Sequence, residues 1–140
     1  ELRDMVSAGI ELGAHTRSHC NLGALTCPEQ MRHEIAGSAD QLAQWCNLPI
    51  KYFSFPFGLP ANTNQLAVDI IRETGFAGFC TAYGAWNWPN NDAYHLRRIH
   101  GDVGLERLKN WLTLDSRKLV DKQVLPFAVE NAPSESLAVC

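Results

Sequence analysis

The sequence lacks the features that mark membrane-spanning, disulfide-rich and nucleic-acid-binding proteins. No apolar run approaches the roughly 18 residues of a membrane span, and no signal peptide is visible. The five cysteines are odd in number and form no C-x-x-C pair, which argues against a disulfide framework or a zinc finger and leans slightly towards the cytoplasm. A net charge of −3 gives no electrostatic reason to bind nucleic acid or an anionic membrane.

What is present is the composition of one globular domain. The 140 residues are 46 % hydrophobic and 19 % charged, which excludes a mostly disordered chain. The chain opens on Glu1 rather than Met, and residues 1–9 read as the end of an element, so we expect a processed or truncated product. We expect residues 1–116 to form the folded part and residues 117–140, where periodicity fades, to form a loosely structured tail.

Strand-like and helix-like segments alternate along the chain. Strands are predicted at residues 10–14, 52–55, 76–81 and 96–100. Helices are predicted before Gly9, from the capping-box pattern Thr26-x-x-Glu29 to Pro49, from Asn62 or Thr63 to Gly75, and around Leu105 to Leu112. This alternation favours an α/β fold of parallel units, in which the loops at residues 15–25, 56–60 and 82–95 follow successive strands and gather at one edge of the sheet.

The strongest local signal is a pair of histidines in the first of these loops. His15 and His19 can place both imidazoles on one side of a turn, as zinc or a similar divalent metal requires. Two surface or hydrogen-bonded histidines are the alternative, and the position at a strand end makes the two interpretations about equal. A catalytic metal usually takes a third protein ligand, and none is obvious in the sequence.

The other two loops carry residues suited to substrate binding. Backbone N–H groups around Pro56, Phe57 and Gly58 can face a developing oxyanion, although a simple proline corner at a strand end explains the same residues. Trp86 and Trp88 can stack on sugar faces or, alternatively, cover the core.

The run R-R-I-H-G-D at residues 97–102 is the last candidate. One of the two arginines must point inward if this segment is a strand, where it needs a carboxylate. His100 and Asp102 suit an acid/base pair, or else Asp102 caps the following helix.

Together these motifs resemble the polysaccharide deacetylase family, also called the NodB-homology or carbohydrate esterase family four domain. The run H-T-R-S-H at residues 15–19 matches that family's motif H-[ST]-x-x-H in full. The run S-F-P-F-G at residues 54–58 matches the proline and the aromatic of its R-x-P-Y motif but not the arginine. The resemblance spans roughly residues 1–115, including the strand L-R-R-I.

The resemblance implies a fold, a reaction and roles for individual residues. The fold is a distorted (β/α) barrel, here a partial one, and the reaction is the metal-dependent removal of N-acetyl groups from an amino-sugar polymer or oligosaccharide. His15 and His19 would bind a divalent metal, with zinc as the leading candidate. The bound metal would activate a water molecule. The N–H of Phe57 would hold the oxyanion, and His100 would protonate the leaving amine. Arg98 or Arg97 would replace the missing motif arginine, since Ser54 stands in its place.

The family's first motif, T-F-D-D-G, is absent from the sequence. In the family it precedes the histidine motif and supplies the catalytic base and the third metal ligand. We therefore expect a carboxyl-terminal portion of a barrel that lacks its amino-terminal part, binds metal weakly and is inactive by itself. The alternative is a catalytically inactive carbohydrate-binding or scaffold domain on the same fold.

Overall fold

A computed structural model describes residues 1–84, 86–89, 92–99 and 104–113. The predicted tail at 117–140, the domain limit at residue 116, His100 and Asp102 all lie outside the described residues. The helices are α1 (Leu2–Ser7), α2 (Pro28–Cys46), α3 (Gln65–Glu73) and α4 (Gly104–Leu112), with short 3-10 turns at Leu22–Ala24 and Pro60–Asn62. The strands are β1 (Tyr52–Ser54), β2 (Gly78–Thr81) and β3 (His95–Arg97).

The three strands form one parallel sheet in sequential order, which confirms the α/β prediction. Phe53 pairs with Phe79, and Phe79 pairs with His95. Ala14 adds a parallel bridge to Phe53 on the outer side of β1. The parallel strands follow one another in sequential order, with helix α3 between β1 and β2. This order without reversal is that of a (β/α) barrel, and this chain forms part of one.

The two faces of the sheet differ in burial because side chains alternate along a strand. Phe53, Phe55 and Phe79 lie on the helix-facing side, where their rings contact one another edge to face. The helices complete this core with residues spaced along one stripe of each: Met31, Ile35, Ala67, Val68, Ile70 and Ile71. The opposite face carries Tyr52, Ser54, Cys80 and Leu96, none of which is fully buried.

Four sequence predictions need correction. The strand at 10–14 reduces to the single Ala14 bridge, since Ile10 is half exposed. The Thr26 capping box is not formed: Pro28 fits the first helical position, so Cys27 becomes the cap, without a side-chain hydrogen bond. That helix ends at Cys46, before Pro49, through the left-handed Asn47. Helix α3 is capped by Asn64 rather than by Asn62 or Thr63, because the Pro60–Asn62 turn precedes it.

The last strand is also displaced. Strand β3 covers His95–Arg97 rather than residues 96–100, so His95 and Arg97 face the core side. Among the described residues, every helix is too short or too polar to cross a membrane.

Replacing Phe53 with Ala tests the assignment of the two sheet faces. The Phe53 side chain is 1 % exposed, so its loss should cost about 3–5 kcal/mol in the free energy of unfolding. The adjacent Tyr52 is 38 % exposed on the other face, and Tyr52→Ala should cost about 1 kcal/mol or less. Urea denaturation of both variants measures the difference, and equal losses would refute the assignment.

Candidate active site

His15 is held by a backbone carbonyl at the end of β1. Its Nδ1 lies 2.7 Å from the carbonyl oxygen of Ser54. A carbonyl oxygen only accepts hydrogen bonds, so the neutral imidazole must carry its proton on Nδ1 and donate it. The lone pair is thereby left on Nε2, which is how a second partner fixes the tautomer of a metal-binding histidine.

His19 lies beside His15 on the same loop. The two ring centroids are 4.9 Å apart at an angle of 68°, and both residues are exposed. The structure therefore brings together the two histidines that the motif singled out. The described residues include no group of three or more His, Cys, Asp or Glu side chains that could hold a metal, so this pair offers two ligands.

The loop between the histidines has an unusual backbone. Thr16 and His19 have φ values of 63° and 57°, in the left-handed region that disfavours residues with a Cβ and above all β-branched ones. Phe57, in the facing loop, has φ 59°. Such conformations persist only where surrounding contacts impose them, and they cluster at functional sites.

Glu34 of α2 supplies such contacts. Its Oε2 accepts hydrogen bonds from the backbone N–H groups of Arg17 and Ser18, each at 2.9 Å, and its Oε1 accepts one from Ser18 Oγ at 2.8 Å. Burial raises the pKa of the Glu34 carboxyl, but these hydrogen bonds outweigh it and hold the pKa below its ordinary value. The loop is thus fastened to a helix by a carboxylate.

The loop after β1 meets the histidines through Phe57. Gly58 donates its N–H to Pro56 O at 2.5 Å, which makes Phe57 the central residue of a tight γ-turn. The exposed Phe57 ring lies edge to face against His19, with centroids 5.0 Å apart. Within the described part of the chain, the Phe57 N–H has no hydrogen-bond partner.

The loop after β2 joins the same edge through Gly58. Ala82 donates its N–H to Gly58 O at 2.8 Å, and a Cβ added to Gly58 would lie 2.7 Å from Ala82 N. Gly58 also has φ +70°. All three predicted loops therefore start from one edge of the sheet, as expected from parallel strands.

Two buried hydroxyl groups beside the histidines have no partner in the part of the chain that the structure describes. Thr16 Oγ1 and Ser54 Oγ are buried there without a hydrogen bond, although buried polar groups are nearly always satisfied. Thr16 follows His15 directly, and Ser54 provides the carbonyl that holds the His15 ring. A further polar group fits here, and two neutral imidazoles suit two corners of a zinc site.

The arginines at the end of β3 differ in environment. Arg97 is buried, whereas Arg98 is exposed and donates from Nε to the carbonyl of Thr81 at 3.3 Å. Burial raises the pKa of the Cys80 thiol, and the charge of Arg98 partly offsets that effect. Arg98 follows β3 and contacts β2, which lies between β3 and the strand that ends in Ser54.

Trp86 and Trp88 contact each other in the loop that follows β2. Their ring centroids are 5.4 Å apart. Between them, the Asn87 amide accepts from Arg97 N and donates to Arg97 O, each at 2.9 Å. These bonds fasten the tryptophan loop to β3, with Trp88 45 % exposed.

Sequence reasoning missed His95, which is a buried histidine of the core. Its Nε2 lies 2.8 Å from Thr81 Oγ1, and its ring stacks on Phe79 at 4.8 Å and 15°. Burial and then the charge of Arg97 lower its pKa to about 4, against a small opposing effect of Asp92. Because His95 faces the helices, it is a structural residue of β3. The signal in the sequence was the alternation of side chains along a strand, which places His95 on the opposite face from Leu96.

Comparison with known proteins gives the following likenesses. Residues 1–79, just over half of the 140, match the family described as polysaccharide deacetylase. The Streptococcus pyogenes deacetylase PplD, solved in complex with acetate, is 20 % identical with a TM-score of 0.67, and the match covers 81 % of this chain and 49 % of that one. A polysaccharide deacetylase from Bacillus cereus is 18 % identical with a TM-score of 0.63, covering 81 % and 35 %.

IcaB from Ammonifex degensii is a third similar structure, 21 % identical with a TM-score of 0.62, covering 79 % of this chain and 50 % of that one. At these identities the likeness to solved structures establishes the fold. The chain spans about half of the length of these structures, or less. No match was found among curated proteins.

Exchanging Gly58 for Ala tests the junction of the loops. Gly75→Ala is the matched control, because Gly75 also has a positive φ of +85° but no atom within 4 Å of the added Cβ. The control substitution should lower the free energy of unfolding by about 1–2 kcal/mol, because the added Cβ strains the left-handed backbone. Gly58→Ala should cost about 1–3 kcal/mol more, from the clash with Ala82. Urea denaturation measures both, and equal costs would contradict the close approach.

The buried His95 should give a pH dependence. The unfolded chain takes up a proton on this histidine near pH 6.5, whereas the folded chain does so only at about 4. Stability should therefore fall as the pH drops from about 6.5 towards 4, since the proton binds the unfolded state first. Proton NMR of the His95 ring should show a midpoint near pH 4. A midpoint near 6.5 would refute the burial of this ring.

Proposed function

This chain belongs to the polysaccharide deacetylase family, and from that premise we propose that it forms part of a hydrolase that removes N-acetyl groups from an amino-sugar polymer or oligosaccharide. The chain spans about half the length of the similar structures, so the activity proposed is that of the natural protein that contains it. The acetate held by the Streptococcus pyogenes deacetylase supports the reaction class, since acetate is the acid released by deacetylation.

The observation that carries the proposal is the orientation of the histidine pair. The Ser54 carbonyl fixes the proton of His15 on Nδ1 and so leaves Nε2 able to bind a cation, with the His19 ring 4.9 Å away. We assign His15 and His19 as two ligands of a divalent metal, for which zinc is the leading candidate. When bound, such a cation supplies Lewis acidity to the amide carbonyl and its attacking water.

The protein's own groups handle the charge and the proton. Hydrolysis breaks the C–N bond of the acetamide and yields acetate and a free amine. The N–H of Phe57, which has no partner among the described residues, would donate a hydrogen bond to the negative charge that develops on the carbonyl oxygen. His100 would give a proton to the departing nitrogen. Arg98, with its positive charge near Cys80, would orient the acidic group that serves as base.

Exposed aromatic rings suit a sugar substrate. The Phe57 ring, 56 % exposed beside His19, and the loop formed with Pro56 and Gly58 would receive the acetamide. Trp86 and Trp88 would stack on neighbouring sugar rings, because flat apolar faces of sugars pack on aromatic rings. The proposed binding partner is this saccharide substrate and not a nucleic acid.

Removing the histidines one at a time tests the metal assignment. His15→Ala and His19→Ala should each abolish the zinc binding of the chain in a calorimetric titration, because one imidazole alone is a poor site. His33→Ala is the matched control, since His33 is an exposed histidine on α2 outside the pair, and it should bind zinc as the unaltered chain does.

In the natural protein, the same two substitutions should abolish the release of acetate from oligomers of N-acetylglucosamine. Acetate release that survives both would contradict the proposal. Binding of the oligomers without any acetate release in the unaltered protein would instead favour the carbohydrate-binding alternative.

A further inference from the structure

We propose that Glu34 is a positioning residue that sets the geometry of the histidine pair, and this inference rests on the proposed function. Glu34 projects from α2, a helix of 19 residues, and does not belong to the histidine motif. Its carboxylate receives three hydrogen bonds from Arg17 and Ser18, which lie between the two histidines. It therefore acts on His15 and His19 through the loop that carries them.

The backbone of the loop explains why such an anchor is needed. Thr16 has φ 63° and His19 has φ 57°, so a left-handed residue lies on each side of the segment that Glu34 holds. Left-handed residues with a Cβ are unfavourable without external contacts. Two N–H groups directed at one carboxylate oxygen fix the peptide planes between the histidines, and bonds to an ionised acceptor are stronger than neutral ones.

The side chain of Arg17 reinforces the same attachment. A Cβ added to Gly37 would lie 3.2 Å from Arg17 Cδ, so the arginine stem lies directly on α2 at a position where the helix has no side chain. The loop thus contacts the helix at Glu34 and at Gly37, one turn apart. Through these two contacts, α2 supports the loop that carries His15 and His19.

Three variants separate positioning from general stability. Glu34→Ala removes all three hydrogen bonds. Glu34→Gln is the conservative variant, because its single oxygen can accept both N–H groups while its amide donates to Ser18 Oγ. Glu73→Gln is the control: Glu73 is also a carboxylate that joins a second element to α2, through an ion pair from α3 to Arg32 at 2.6 Å, but its partner is not in the loop.

The experiment combines a zinc titration with hydrogen exchange of backbone amides, on the whole chain. Glu34→Ala should weaken zinc binding about 10–100-fold, as loss of a supporting partner typically does. Glu34→Gln should restore most of that loss, and Glu73→Gln should bind zinc like the unaltered chain. The amides of Arg17 and Ser18 should exchange faster in Glu34→Ala and not in Glu73→Gln.

Zinc affinity in Glu34→Ala equal to that in Glu73→Gln would overturn the inference. So would unchanged exchange of the two amides. If Glu34→Ala does not fold, Glu34→Asp takes its place, because its carboxylate is withdrawn by one methylene from the two N–H groups, and unchanged exchange of the two amides in Glu34→Asp would overturn the inference equally. If the unaltered chain binds no zinc, the metal assignment fails, and the exchange rates still decide whether Glu34 holds the loop.

Discussion

The hydrogen bond from His15 Nδ1 to the Ser54 carbonyl is the interaction on which the candidate site depends. It joins the loop after Ala14 to the end of β1, and it determines which nitrogen of the ring keeps its lone pair. A reversed tautomer would place a proton on Nε2 and leave His15 unable to bind a cation there. The parallel pairing of Ala14 with Phe53 provides the register that brings the ring to this carbonyl.

The remainder of the site is organised around strained loops held by rigid elements. Thr16, His19 and Phe57 all have positive φ, and each lies in a loop that leaves the same edge of the sheet. Helix α2 holds the first loop through Glu34, while the close approach of Gly58 to Ala82 joins the next two. The helices and the sheet hold this strained backbone in place, because they pack on one buried core of aromatic and aliphatic side chains.

Much of this arrangement could be predicted from the sequence where one physical signal dominates. The apolar stripes of α2 and α3 and the alternation with strands predicted the helices and the parallel sheet. The histidine motif predicted the pair that the structure brings together. The roles of Phe57, Arg98, His100 and the tryptophans remain predictions.

Other features depend on contacts between distant segments and were not predictable. Glu34 bonds to an N–H 16 residues away, which no local pattern encodes. Strand β3 starts one residue earlier than expected because His95 is buried by stacking on Phe79 and by its bond to Thr81. The cap of α3 shifted to Asn64 since Thr63 bonds back to Pro60. Each case is a tertiary interaction that overrides a local propensity.

The most direct test of the central claim is the tautomer of His15, measured by nitrogen-15 NMR of the imidazole rings at neutral pH. We predict that Nδ1 is protonated and that Nε2 is not, and that added zinc shifts the Nε2 resonance most. A proton found on Nε2 would contradict the account, because Nδ1 would then not donate to the Ser54 carbonyl and Nε2 would have no lone pair for a metal.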